Sequence, residues 1–129
     1  MPMSGNFILK LLDRYRQKNM TVPILVEGKN DVRSLRKLSF DGKIITLNSG
    51  HSLVTLSNML SEDYSEIILL TDFDRTGIEL KLQIFNYLNG TGCSVDTYLW
   101  ERLKKDLPVK TVEELPTSIS RVEQESNTR

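Results

Sequence analysis

The stretch Glu66-Ile67-Ile68-Leu69-Leu70-Thr71 runs straight into Asp72-Phe73-Asp74-Arg75-Thr76-Gly77. A short apolar run of this kind, rich in β-branched side chains, reads as a strand buried on both faces. The segment after it is polar. Beyond that, Ile78, Leu82 and Phe85 recur at spacings of four and three and predict a helix over 78–88. Strand, polar loop and helix in this order make the repeating unit of a parallel sheet.

The same unit recurs on either side. Upstream, Val22-Pro23-Ile24-Leu25-Val26 reads as a buried strand with its proline near the start. Glu27-Gly28-Lys29-Asn30-Asp31 follows it, and a helix is expected up to Leu38. A second strand is expected over 43–47, then a loop at Asn48-Ser49-Gly50, then a helix with Leu53, Leu56, Met59 and Leu60 on one face. Downstream, Asn89-Gly90-Thr91-Gly92 ends the 78–88 helix, as glycines do. A fourth strand is expected over 94–98, and a helix from Trp100 that Pro108 stops. At the front, Phe7, Ile8, Leu11, Leu12 and Tyr15 mark an amphipathic helix over 6–19.

The expected fold class is therefore α/β, with about four mostly parallel strands and helices on both faces. The expected organisation is an N-terminal helix over 1–20, a domain over 21–107 and an extension over 108–129. The extension's last dozen residues are polar, and fraying is expected there.

Composition narrows the function classes. Among 129 residues, 17 are Lys or Arg and 17 are Asp or Glu. A net charge of zero excludes a strongly basic arm as the means of gripping nucleic acid. The distribution is uneven, however. Residues 1–43 carry nine basic and four acidic side chains, and residues 44–97 carry two basic and seven acidic. One cysteine and one histidine exclude zinc fingers and ribbons. No apolar run approaches membrane-spanning length and no signal-peptide pattern opens the chain, so a cytoplasmic protein is expected.

Sites in open parallel sheets form beyond the carboxyl ends of the strands. Glu27, Asp72 and Asp74 all fall there. If the backbone stays extended past the strand, Asp72 and Asp74 point the same way. Hard oxygen ligands beside a third acid suit Mg²⁺, and a divalent ion relieves the repulsion among them. Gly28 and Gly77 would let the backbone approach a phosphate or turn sharply. An acid at a strand end also caps the next helix in many proteins, and Asp74 fits that simpler role equally well.

Together the motifs Ile24-Leu25-Val26-Glu27-Gly28-Lys29-Asn30-Asp31 and Ile67-Ile68-Leu69-Leu70-Thr71-Asp72-Phe73-Asp74-Arg75-Thr76-Gly77 resemble a Toprim (topoisomerase–primase) domain over roughly residues 20–107. The chain is similar to the small stand-alone Toprim proteins of archaea and some bacteria. The resemblance implies a Rossmann-like Toprim fold. It implies that Glu27 is the general acid or base, and that Asp72 and Asp74, with Glu27, bind Mg²⁺ or Mn²⁺. Gly28, Lys29, Arg75 and Gly77 are the expected substrate contacts, and Asp31 is expected to cap its helix. Two departures stand out. Glu79 comes one residue late for the family's third acid, a rotation of about 100° on a helix. Phe73 replaces a proline common between the aspartates, a change expected to matter little.

The expected function is metal-dependent phosphodiester cleavage of structured RNA or DNA. The chain's length leaves no room for a topoisomerase's tyrosine-bearing domain. The alternative is a non-catalytic nucleic-acid- or protein-binding module in an RNA-processing or replication complex, with no membrane role. Lys10, Arg14, Arg16, Lys18, Arg33, Arg36 and Lys37 could form a phosphate-tracking face in either case. Asp72-Phe73-Asp74-Arg75-Thr76 also resembles a haloacid-dehalogenase motif, but the later acidic strands that fold needs are absent.

Overall fold

Ile67 and Leu69 pack into one hydrophobic cluster, and Ile68 and Leu70 into another on the opposite face. All four are fully buried, which is why this run has no polar alternation. The computed structural model of the chain describes residues 5–48 and 50–127. In it, β1 (Ile24–Val26), β2 (Ile44–Thr46), β3 (Glu66–Leu69) and β4 (Ser94–Asp96) form one sheet in the order β2-β1-β3-β4. Every pairing is parallel, with Ile24 opposite both Ile44 and Ile68, and Ile67 opposite Val95.

The helices are α1 (Gly5–Asn19), α2 (Lys29–Lys37), α3 (Leu53–Asp63), α4 (Arg75–Leu88), α5 (Tyr98–Asp106) and α6 (Leu115–Asn127), with a 3-10 turn at Val112–Glu114. Leu56 and Leu60 of α3 and Ile84 and Leu88 of α4 cover one face of the sheet. Leu35 of α2 shares the other face with α1, α5 and α6, through residues such as Leu11, Leu12, Leu99, Leu103 and Ile119. Each such side chain contributes about 1.5–3 kcal/mol on burial. The expected α/β fold with helices on both faces is the observed one.

Topology decides where a site can form. From β1 the chain passes through α2 to β2, its neighbour on one side. From β3 it passes through α4 to β4, its neighbour on the other side. β1 and β3 lie side by side, so their outgoing loops diverge and leave a crevice at the sheet's carboxyl edge. Glu27 and Asp72 stand on those two loops.

Two sequence expectations are corrected. α4 starts at Arg75 rather than at residue 78, because Asp74 caps it: Gly77 N–H donates to Asp74 Oδ1 at 2.8 Å. The fraying expected over 118–129 gives way, as far as residue 127, to α6. Leu115, Ile119 and Val122 form a sparse stripe at spacings of four and three, and it packs into the core beside α1. Residues 128 and 129 lie outside the described part. Among the described residues, no helix is long and apolar enough to cross a membrane.

Candidate functional site

Glu27 follows β1 at once, and its side chain reaches across the crevice: Asp72 N–H donates to Glu27 Oε2 at 2.7 Å. Asp72 is held in turn from a third direction. Val112 N–H, in the 3-10 turn, donates to Asp72 Oδ1 at 2.8 Å. Glu27, Gly28, Lys29, Asp31, Asp72 and Glu113 border one cleft of about 640 Å³. Asp31 is buried and folds back as expected, accepting Gly28 N–H at 3.1 Å.

The electrostatics of this cleft are those of crowded anions. Burial pushes the Asp72 carboxyl up to about 6; the Val112 N–H bond opposes the shift, and the charges of Glu27, Asp31 and Asp74 add to it. Asp31 is raised too, first by burial and then by the Glu113 charge, against the hydrogen bond from Gly28.

Asp74 departs from the expected alignment with Asp72. Strand pairing ends before the loop, and the Asp74 carboxylate caps α4 and borders a neighbouring groove rather than the cleft. Its charge still reaches Asp72. Arg75 is 94% exposed and makes a long, 3.4 Å contact to Glu79, which stands on the outer face of α4. Glu79 therefore turns away as its late position implied. Lys29 is exposed at the rim, and His51 is exposed in its loop.

The two glycines have different reasons to be glycine. A Cβ on Gly77 would sit 1.9 Å from the Asp72 carbonyl oxygen, so the close approach of α4 to the loop requires hydrogen there. A Cβ on Gly28 would meet nothing within 4 Å, so its bare backbone opens onto free space at the cleft.

A strap over 108–112 clamps the loop that carries the acids. Phe73 N–H donates to the Lys110 carbonyl at 2.9 Å, and Val112 N–H holds Asp72. From α5, Trp100 Nε1–H donates to the Thr71 carbonyl, while the Trp100 and Phe73 rings pack at 5.6 Å. The Phe73 departure thus matters after all, because a proline there has no N–H to give the strap. Glu113 and the strap carry no sequence signature beyond the Thr111–Glu114 capping-box spacing.

Three of the seven residues of the expected phosphate-tracking face are engaged within the chain. Lys18 pairs with Glu66 and Asp96, Arg16 donates to the Leu38 carbonyl, and Arg36 donates to the carbonyls of Phe40 and Gly42. Those three cations tie segments of the protein to one another.

Residues 22–99 match the Toprim domain family model. The chain belongs to the Toprim domain family. It is 51% identical over 111 residues to a UPF0292 protein of Thermoplasma volcanium, covering 86% of this chain and 93% of that one. It is 37% identical over 118 residues to a UPF0292 protein of Thermococcus kodakarensis, covering 88% and 84%. A solved structure of a protein from Aquifex aeolicus superposes with a TM-score of 0.71 at 30% identity, covering 81% of this chain and 94% of that one. Toprim membership ties the chain to metal-dependent, nucleic-acid-related work. The strap and α6 lie beyond the Toprim match.

The Toprim cleft suits a hard divalent cation in its chemistry: its donors are carboxylate oxygens, and Asp72, raised first by burial and then by its anionic neighbours, carries a repulsion that a cation would relieve. Among the described residues, no three acidic, histidine or cysteine side chains stand together closely enough to ligate one ion directly.

Proposed function

We propose that this Toprim protein is a Mg²⁺-dependent (or Mn²⁺-dependent) phosphodiesterase that cleaves structured RNA or DNA in the cytoplasm. The observation that carries this reading is the bridge from Glu27 to Asp72 across the switch-point crevice, with Asp72 pushed up to about 6 among three other acids. Asp72 and Glu27 would hold the ion, and Asp74 would have to give up its cap on α4 to join them. Bound there, the ion would supply Lewis-acid polarisation of a non-bridging phosphate oxygen. Glu27 exchanges a proton with the attacking water or the leaving oxygen, while Asp72 N–H fixes the orientation of its carboxylate. Gly28, Lys29 and Arg75 contact phosphate, and Gly77 serves by allowing α4 to approach Asp72 closely.

The separation of Asp74 from the cleft favours a second reading, a non-catalytic nucleic-acid- or protein-binding module in an RNA-processing or replication complex. One experiment divides the two. The native chain and Glu27→Gln are incubated with RNA and DNA of differing structure across a Mg²⁺ titration. Cleavage lost by about 10²–10⁴-fold in Glu27→Gln supports the enzyme with Glu27 in its role. Cleavage that persists in Glu27→Gln removes that role. Mg²⁺-linked binding with no cleavage of any substrate replaces the enzyme with the binding module.

A further inference from the structure

A second recess adjoins the acidic cleft. Asp72 borders the cleft, whereas Phe73, Asp74 and Arg75 border a groove of about 600 Å³. The strap and the 3-10 turn that follows it divide the same way, with Glu113 of the turn at the cleft and Val109 and Lys110 of the strap at the groove. The two recesses are therefore consecutive along the same two chain segments.

Their charges are opposite. Around the groove stand Arg75, Lys104 and Lys110, all exposed, over a floor that includes Leu107 and Pro108. Three anions face these cations. Asp74 is engaged as the α4 cap. Glu79 meets Arg75 only at 3.4 Å on an exposed helix face, a contact worth little. Glu114, beside Lys110, accepts from the backbone N–H groups of Lys110 and Thr111. Lysine and arginine heads above an apolar floor match a sugar–phosphate chain, with cations for the phosphates and carbon for the sugars. The acidic cleft alone repels a polyanion, and the chain has no net charge to attract one. A cationic handhold next to the cleft resolves that conflict locally. Lys104 and Lys110 both lie beyond the residues matched to the Toprim family model.

We propose that this groove binds the sugar–phosphate backbone of a nucleic-acid strand through Arg75, Lys104 and Lys110, and so leads a neighbouring phosphodiester to Glu27 and Asp72. The proposal rests on the nucleic-acid reading of the cleft. It fixes the side from which the strand enters.

The test uses the full-length native chain, Lys104→Ala/Lys110→Ala and Lys104→Arg/Lys110→Arg. Binding of labelled single-stranded RNA and DNA oligonucleotides is followed by fluorescence anisotropy in Mg²⁺ over a range of salt, and cleavage of the same oligonucleotides is scored separately. Thermal melts confirm that both variants fold. The alanine variant is expected to bind at least about tenfold more weakly, with the log–log salt slope reduced by about 1.4, or about 0.7 per lost phosphate contact. The arginine variant is expected to keep affinity and slope. Equal binding and slope in the alanine variant overturn the groove and leave the nuclease reading to the cleavage data. An equal loss in the arginine variant shows that charge is not the cause and also overturns it. A native chain that binds no oligonucleotide overturns the groove, and the nuclease reading is then decided by the structured substrates of the Glu27→Gln experiment. Capture of an acidic peptide probe instead would assign the groove to a protein.

Discussion

Asp72 N–H and Glu27 Oε2, 2.7 Å apart, join two loops separated by 45 residues of chain. The bond needs an oxygen at position 27 but not a charge. Glu27→Gln should therefore keep the loops in place and melt within about 1 kcal/mol of the native chain. Glu27→Ala should lose a further 1–2 kcal/mol or so, because it leaves the Asp72 N–H without that partner. Denaturant unfolding of the pair checks this, and equal stability of Gln and Ala would show that the bond contributes nothing.

Asp72 makes the metal-free fold pH-dependent in an unusual direction for an aspartate. Its carboxyl titrates at about 6 in the fold against an ordinary value of 3.8, through burial and then the charges of its acidic neighbours. The folded state therefore holds its proton more tightly than the unfolded chain. The associated stability is fully present below about pH 4 and is lost as pH rises through about 6. Asp72→Asn cannot ionise and keeps an oxygen for Val112 N–H. In EDTA at about pH 8 it should be more stable than the native chain by roughly 1 kcal/mol, after allowance for partial exposure. At about pH 4 the two should agree. Adding Mg²⁺ should stabilise the native chain selectively and close the gap. Melts in the two buffers decide it; a native chain as stable as the variant in EDTA at high pH contradicts the assignment.

Gly77 and Gly28 should respond oppositely to the same substitution. Gly77→Ala forces a methyl against the Asp72 carbonyl and should cost at least about 2 kcal/mol. Gly28→Ala enters open space on extended backbone and should cost under about 1 kcal/mol as a weaker helix cap. Any larger loss of nucleic-acid binding in Gly28→Ala then reports a ligand that comes close to this backbone. Chemical unfolding and an oligonucleotide titration on the same samples separate the two effects.

Ile119 is 1% exposed, in the segment whose sequence suggested a loose tail. Ile119→Ala should cost about 2–4 kcal/mol, the range for emptying a packed aliphatic site. Hydrogen exchange should show α6 protected together with α1. Fast exchange throughout 115–127 would detach the helix from the domain.

What the sequence revealed and what it hid follow from the range of the interactions involved. The strands were legible because an unbroken apolar run such as Ile67 to Leu70 has few other uses. The crevice was legible because Glu27 and Asp72 directly follow two such runs. α6 was obscured because its three apolar contacts are diluted among serines and glutamates, so the periodicity was weak. The fate of Lys18 was obscured because its partners, Glu66 and Asp96, lie 48 and 78 residues away. Glu113 reaches the cleft only through the path of the strap, which no local pattern encodes.

The strap hydrogen-bonds the acidic loop through main-chain groups of its own, the Lys110 carbonyl and the Val112 N–H. Its grip is therefore indifferent to the Lys110 side chain but sensitive to chain length. Lys110 can be exchanged to alter the groove without loosening Asp72. A single residue inserted or deleted between Pro108 and Val112 would slide the donor past its acceptor and release the loop. In this region an indel, far more than a substitution, marks a chain whose site has changed.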